Sequence, residues 1–244
     1  MPKSWMSDKD ALKPQGPLRL TEDHVRRVTR LVDGPRHNPD WRLMDDDDLD
    51  RLAQRLTAGR PAPVEIFAYG SLIWNPGFPV AARRRATARN WHRQFSIDLE
   101  HFRGSPEQPG LMLALASGGS CEGVLLEIAP ATTAEALRAV LRRELVAHEL
   151  AANFRWIEVE TGGMEREALT FYADPVDVTL TDLPIEEQAR RLAHANGAAG
   201  SGSEYLLRTA QSLEEAGIHD GYIWELQALV AEEIDRWSGM EGKN

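Results

Sequence analysis

The pattern of apolar and polar positions changes character along this chain. Up to about Pro63, two short amphipathic helical patterns stand out, over residues 21–32 and 46–56, in a background rich in Asp, Arg and Pro. Pro61 and Pro63 then interrupt any regular element. Next comes Val64-Glu65-Ile66-Phe67-Ala68-Tyr69, a β-prone run that stops at Gly70-Ser71. Strand patterns recur over residues 94–99, 111–116, 123–128, 155–160 and 168–172. Helical patterns occupy residues 133–148, 185–195, 204–216 and 222–237. Gly217 follows the third of these as a helix-ending glycine would. Strands cluster early and helices late, which predicts an α+β fold rather than a repeating βαβ sheet. No internal repeat is visible. The pattern divides the chain into an N-terminal accessory region (1–62), a main domain (63–237) and a short tail (238–244).

One polar residue breaks the helical pattern of residues 133–148. At about 100° per residue, Leu137, Val140 and Leu141 cover one face, and Glu144 falls in the middle of it. Glu135, Arg138, Arg142 and Arg143 point away from that centre. A carboxylate so placed must be desolvated, paired or turned to a cavity. Desolvation raises a carboxyl pKa toward the range where it works as a general base at neutral pH. The alternative is structural: Glu144 ends the stripe and reaches solvent or a neighbouring arginine. His148 and Glu149 form a second polar cluster beyond it.

Tyr69-Gly70-Ser71-Leu72 is the other informative piece. Glycine at a strand end permits positive φ or close backbone approach, and successive N–H groups in such a turn can cradle a carboxylate. A plain β-turn reads the same way.

Composition narrows the class. The chain has 244 residues, 38 acidic against 28 basic, for a formal charge of −10. Such a balance disfavours nucleic acid. The densest basic run, Arg83-Arg84-Arg85 followed by Arg89 and Arg93, is expected as a solvated turn. Asp45 to Asp48 lacks the spacing of a calcium loop and reads as a solvated loop or a helix start, so no metal is expected. No run approaches the roughly 18 apolar residues of a membrane span, and the first ten residues lack a secretory core. A single cysteine, Cys121, fits a reducing compartment and a place in the core, so a soluble cytoplasmic protein is expected.

Ile66-Phe67-Ala68-Tyr69-Gly70-Ser71-Leu72-Ile73-Trp74-Asn75-Pro76 closely resembles the opening signature of the ChaC-type γ-glutamylcyclotransferases. The resemblance continues through residues 110–115, Gly123-Val124, Arg142-Arg143-Glu144 and Gly200-Ser201-Gly202-Ser203-Glu204-Tyr205-Leu206, covering about residues 65–230. It implies a small mixed β-barrel or sheet with surrounding helices and release of 5-oxoproline from a γ-glutamyl compound, often glutathione, without metal or organic cofactor. It further implies Glu144 as the acid/base and Phe67, Ala68, Tyr69, Gly70, Ser71 and Leu72 as the substrate site. Tyr205 is a candidate hydroxyl donor, with helix packing as its other reading. The implied partner is thus a small γ-glutamyl molecule.

The chain departs from the family pattern in four places. Ala68 stands where glycine is usual, Leu111 where arginine is common, and Gly202 replaces an asparagine. Residues 148–154 take the place of a Gly-Gly-Tyr-like loop. These departures leave two further readings open: a protein that binds γ-glutamyl ligands without turnover, and a cyclotransferase for another γ-glutamyl amine or peptide.

Overall fold

The computed structural model describes residues 16–30, 32–60, 62–176 and 178–241. The sequence readings of the first fifteen residues, of Pro61 and of the last three residues lie outside these. Two short helices come first, α1 (Glu22–Val28) and α2 (Asp46–Thr57). Strands β1 (Glu65–Ala68), β2 (Ala82–Leu99) and β3 (Gly110–Glu127) follow, then α3 (Thr133–Glu144), β4 (Phe154–Thr161) and β5 (Met164–Phe171). The remainder is α4 (Ile185–His194), a minimal hairpin of β6 (Asn196–Gly197) and β7 (Gly200–Ser201), α5 (Gly202–Glu215) and α6 (Gly221–Glu241).

Strands β1 to β5 close into a barrel in the order β1-β3-β2-β4-β5. All neighbours are antiparallel except β1 and β5, which meet in parallel at Ile66 and Leu169 and shut the ring. The fold is α+β, as expected. Burial on both sides of strand β1 explains why Ile66, Phe67 and Ala68 form an unbroken apolar run. Phe67 joins a cluster with Ala86, Leu125, Val159 and Ala168, drawn from all five strands and hence inside the barrel. Ile66 and Ala68 point the other way, into the core shared with the helices. All four residues of β1 are buried, and each large apolar side chain so placed is worth about 1.5–3 kcal/mol over exposure.

The structure corrects several expectations. The segments at 111–116 and 123–128 are one strand, β3, which runs through Gly118 and Gly119. The segment at 94–99 is the end of an equally long β2, kinked by register shifts at Asn90 and Ser96. Arg83, Arg84 and Arg85 therefore lie in β2 and not in a turn. Arg84 pairs with Glu65 and Glu127, and Arg85 with Glu122. Arg89 pairs with Glu160, and buried Arg93 with Asp220. A run of like charges looks like a solvated face until cross-strand neighbours of opposite sign are known. Cys121 is buried beside Arg93.

Two helices are shorter than their patterns. The helix expected over residues 21–32 ends at Val28: Thr29 is extended, and Asn196 ties down the chain by taking the Arg30 N–H and donating to the Val28 carbonyl. The helix expected over residues 133–148 stops at Glu144, after which Leu145 leaves helical geometry. Gly217, at φ +68°, ends α5 in a Schellman motif, with Ile218 N–H on the Leu213 carbonyl.

The N-terminal helices share the main core through Val25, Val28, Leu49 and Leu52. The acidic run starts α2, Asp45 capping it through Asp48 N–H. Arg138 grips Asp50 with two hydrogen bonds of 2.6 and 2.8 Å, and Arg142 pairs with Asp46. Met44 N–H bonds the Val146 carbonyl, and His148 pairs with Asp48. Exposed pairs of this kind contribute about 0–1 kcal/mol each, so the shared apolar core holds α2 against α3. No helix among the described residues is long and apolar enough to cross a membrane.

Candidate active site

Strand β1 ends at the rim of the barrel and turns sharply. Ile73 N–H closes onto the Gly70 carbonyl at 3.0 Å and Asn75 N–H onto that of Ser71 at 2.9 Å. The N–H groups of Gly70, Ser71 and Leu72 stay outside these two turn bonds. Gly70 lets the chain pass close to its neighbours: a β-carbon there would sit 3.3 Å from Tyr205 Oη and 3.4 Å from Leu113 Cδ1. Arg83 Nη1 donates to the Ile73 carbonyl at 2.7 Å and fixes the far side of the turn.

A narrow pocket opens over this turn. Its wall brings together Phe67, Tyr69, Gly70, Ser71, Leu72, Glu144 and Tyr205, from three distant parts of the chain, with Met112, Leu113 and Phe171. Ala68 is not part of that wall. Strand alternation turns its methyl group away from Phe67 and Tyr69, into the helix-side core. Two of the sequence departures are structural: Leu111 is fully buried, and a β-carbon on Gly202 would press within 3.0–3.2 Å of Leu192.

Glu144 is the last residue of α3, with its side chain 22% exposed. It faces the pocket and is also paired, Arg143 Nε lying 2.9 Å from its Oε1. Two influences oppose each other there. Burial pushes the carboxyl above its ordinary range, and the Arg143 charge pulls it down; burial prevails. Arg143 also donates to Ser71 Oγ at 2.6 Å and to the Asn75 carbonyl. One guanidinium thus couples the carboxylate to the turn. Helical phase alone turns Arg143 away from the centre of the apolar face, and its place beside Glu144 in the Arg-Arg-Glu run is the one sequence signal of this role.

Both tyrosines are neutral donors at physiological pH. Burial, with Glu144 nearby, pushes Tyr205 up to about 12, and burial raises Tyr69 well above its usual value. Tyr69 donates to the Phe171 carbonyl at 3.0 Å and so spans the barrel mouth. Tyr205 is held edge-on to Phe95, with Arg103 over its ring at 5.5 Å. Arg103, itself anchored to Glu204 at 3.0 Å, carried no sequence signal.

The closed five-stranded barrel with its surrounding helices has the fold of γ-glutamyl cyclotransferases of known structure. A solved yeast γ-glutamyl cyclotransferase specific to glutathione superposes with a TM-score of 0.59 at 19% identity, covering 71% of this chain and 96% of that one. The chain belongs to the ChaC-like protein family, whose model matches residues 64–233. The glutathione-specific γ-glutamylcyclotransferase of Escherichia coli K12 is 32% identical over 169 residues, 69% of this chain and 73% of that protein. γ-Glutamylcyclotransferase 2-1 of Arabidopsis thaliana is 28% identical over 179 residues, 70% and 83% of the two chains.

Proposed function

We propose that this protein is a γ-glutamylcyclotransferase that releases 5-oxoproline from a γ-glutamyl peptide, with glutathione the first candidate and Cys-Gly its other product. The observation that carries the reading is Glu144, a carboxylate of raised pKa set in the same pocket as the Tyr69 to Leu72 turn. The glutathione-specific relative from Escherichia coli supports the choice of glutathione.

The reaction needs no enzyme nucleophile. The substrate's α-nitrogen bonds to the carbon of its own γ-carbonyl group (Cδ), closing a five-membered ring, and the γ-amide C–N bond on that same carbon breaks. The α-nitrogen starts as an ammonium and ends as a lactam N–H, so it sheds two protons. Both end on the departing amine, with Glu144 as their relay. The N–H groups of Gly70 and Ser71 would hold the glutamyl half in a near-attack shape. The Tyr205 hydroxyl, neutral at working pH, is placed to donate to a substrate oxygen. The lone buried thiol supports a reducing, cytosolic setting, and α2 is proposed to act as a buttress of α3.

Incubation with glutathione and a panel of γ-glutamyl amines and peptides, with 5-oxoproline as the readout, tests the assignment. Absence of product from all of them would sink it; tight binding without turnover would point to a ligand-binding protein instead.

The opposing influences on Glu144 give a pH prediction. The carboxylate must be ionised to accept a proton, so kcat/KM falls as pH drops through its raised pKa. Arg143→Gln removes the charge that holds that pKa down, and burial then acts unopposed. The acid limb of the pH–rate profile should move to higher pH. An unmoved limb would mean that Arg143 does not tune the base.

A further inference from the structure

A second cavity, of about 370 Å³, adjoins the pocket and shares only Glu144 and Met112 with it. This inference rests on the cyclotransferase reading. A substrate whose scissile bond lies at Glu144, with its glutamyl half over the Gly70-Ser71 turn, must send its amine half into this outer space. Part of the outer wall is built by Arg36, His37, Asn38 and Trp41, in the connection between α1 and α2. These residues precede the family match, which begins at residue 64.

The wall is chemically specific. Trp41, Leu99, Phe102 and Val178 make it largely apolar. Asp98 Oδ2 accepts from Arg191 at 3.1 Å. Arg36 has no ion-pair partner among them, whereas Arg143 is already engaged with Ser71, Asn75 and Glu144. Burial and the Arg36 charge hold His37 below the usual histidine range, so it adds no charge at neutral pH. Asp98 and Glu100 repel a ligand carboxylate, which leaves Arg36 as the unengaged cation for it. An unengaged cation beside an apolar wall fits a peptide better than a simple amine.

We infer that the outer cavity seats the departing half of the substrate and selects a peptide there, whose C-terminal carboxylate pairs with Arg36 beside Trp41. Arg36 is then a specificity residue supplied by the N-terminal region.

Steady-state kinetics on glutathione and on its C-terminal amide test this. The wild-type enzyme should favour the free acid. Arg36→Gln should raise KM for glutathione about tenfold, the effect of one lost charged hydrogen bond, with kcat unchanged and the amide unaffected. Arg36→Lys should recover most of the loss. Equal effects on both substrates, or none on either, would overturn the cavity assignment while leaving the cyclotransferase standing. A wild-type protein that releases no 5-oxoproline from any γ-glutamyl compound removes the reaction and this assignment together.

Discussion

Glu144→Gln is expected to lower the rate of 5-oxoproline release by about 10²–10⁴, the usual cost of losing a positioned acid/base. The substitution keeps the size of the side chain and an oxygen for Arg143 to bond. It removes only the ability to take up and return a proton. Stability should move the other way. The folded pKa of Glu144 lies above the ordinary 4.5. The contribution of such a group to stability is fully present below the unfolded value and is lost as pH rises through the folded one. Above the folded pKa the ionised carboxylate is therefore a burden on the fold, and there the glutamine variant should melt at the same or a higher temperature. At low pH, with the wild-type carboxyl protonated, the advantage should vanish. Thermal melts across pH, read beside turnover, separate chemistry from folding. A glutamine variant that turns over at the wild-type rate would remove Glu144 from the mechanism.

Gly123→Ala should damage both stability and activity although it touches no proposed catalytic group. A β-carbon on Gly123 would lie 2.5 Å from the Ala68 carbonyl oxygen and 2.7 Å from the edge of the Phe67 ring. The first of these is backbone and has nowhere to go without moving β1. Overpacking of this kind costs about 1–3 kcal/mol. Because β1 runs straight into the Gly70-Ser71 turn, its displacement also misplaces the substrate cradle, and about 1 Å of error there can cost on the order of 10² in rate. Urea unfolding and kcat/KM on the folded protein check the two parts. Wild-type values in both would show that β1 tolerates the extra carbon, against the packing described above.

The site was legible where local sequence carries local structure. A strand ending in Tyr-Gly-Ser-Leu and a carboxylate phased onto an apolar helix face are both written within one element, and the pocket does bring them together. The family resemblance takes in residues 67–72 as one stretch, whereas strand alternation turns the Ala68 side chain to the helix-side core. Arg103 was invisible for a different reason. It lies in the loop after β2 and reaches Tyr205 only through the folding of α5 against the barrel.

By itself the sequence determined the element order, the α+β class, the turn after β1 and the helical phase that puts Glu144 among leucines. These depend on periodicities of two and 3.6 residues and on the backbone freedom of glycine, all short-range properties. Only the tertiary structure decided that β2 and β3 are long single strands, that the arginines of β2 meet cross-strand carboxylates, and that Arg143 ties Glu144 to Ser71. It also decided that Arg36 and Trp41, some hundred residues before Glu144, stand in the cavity beside it. Such pairings follow from strand register, barrel closure and helix docking, which are set by the whole core at once and leave no mark at any one position.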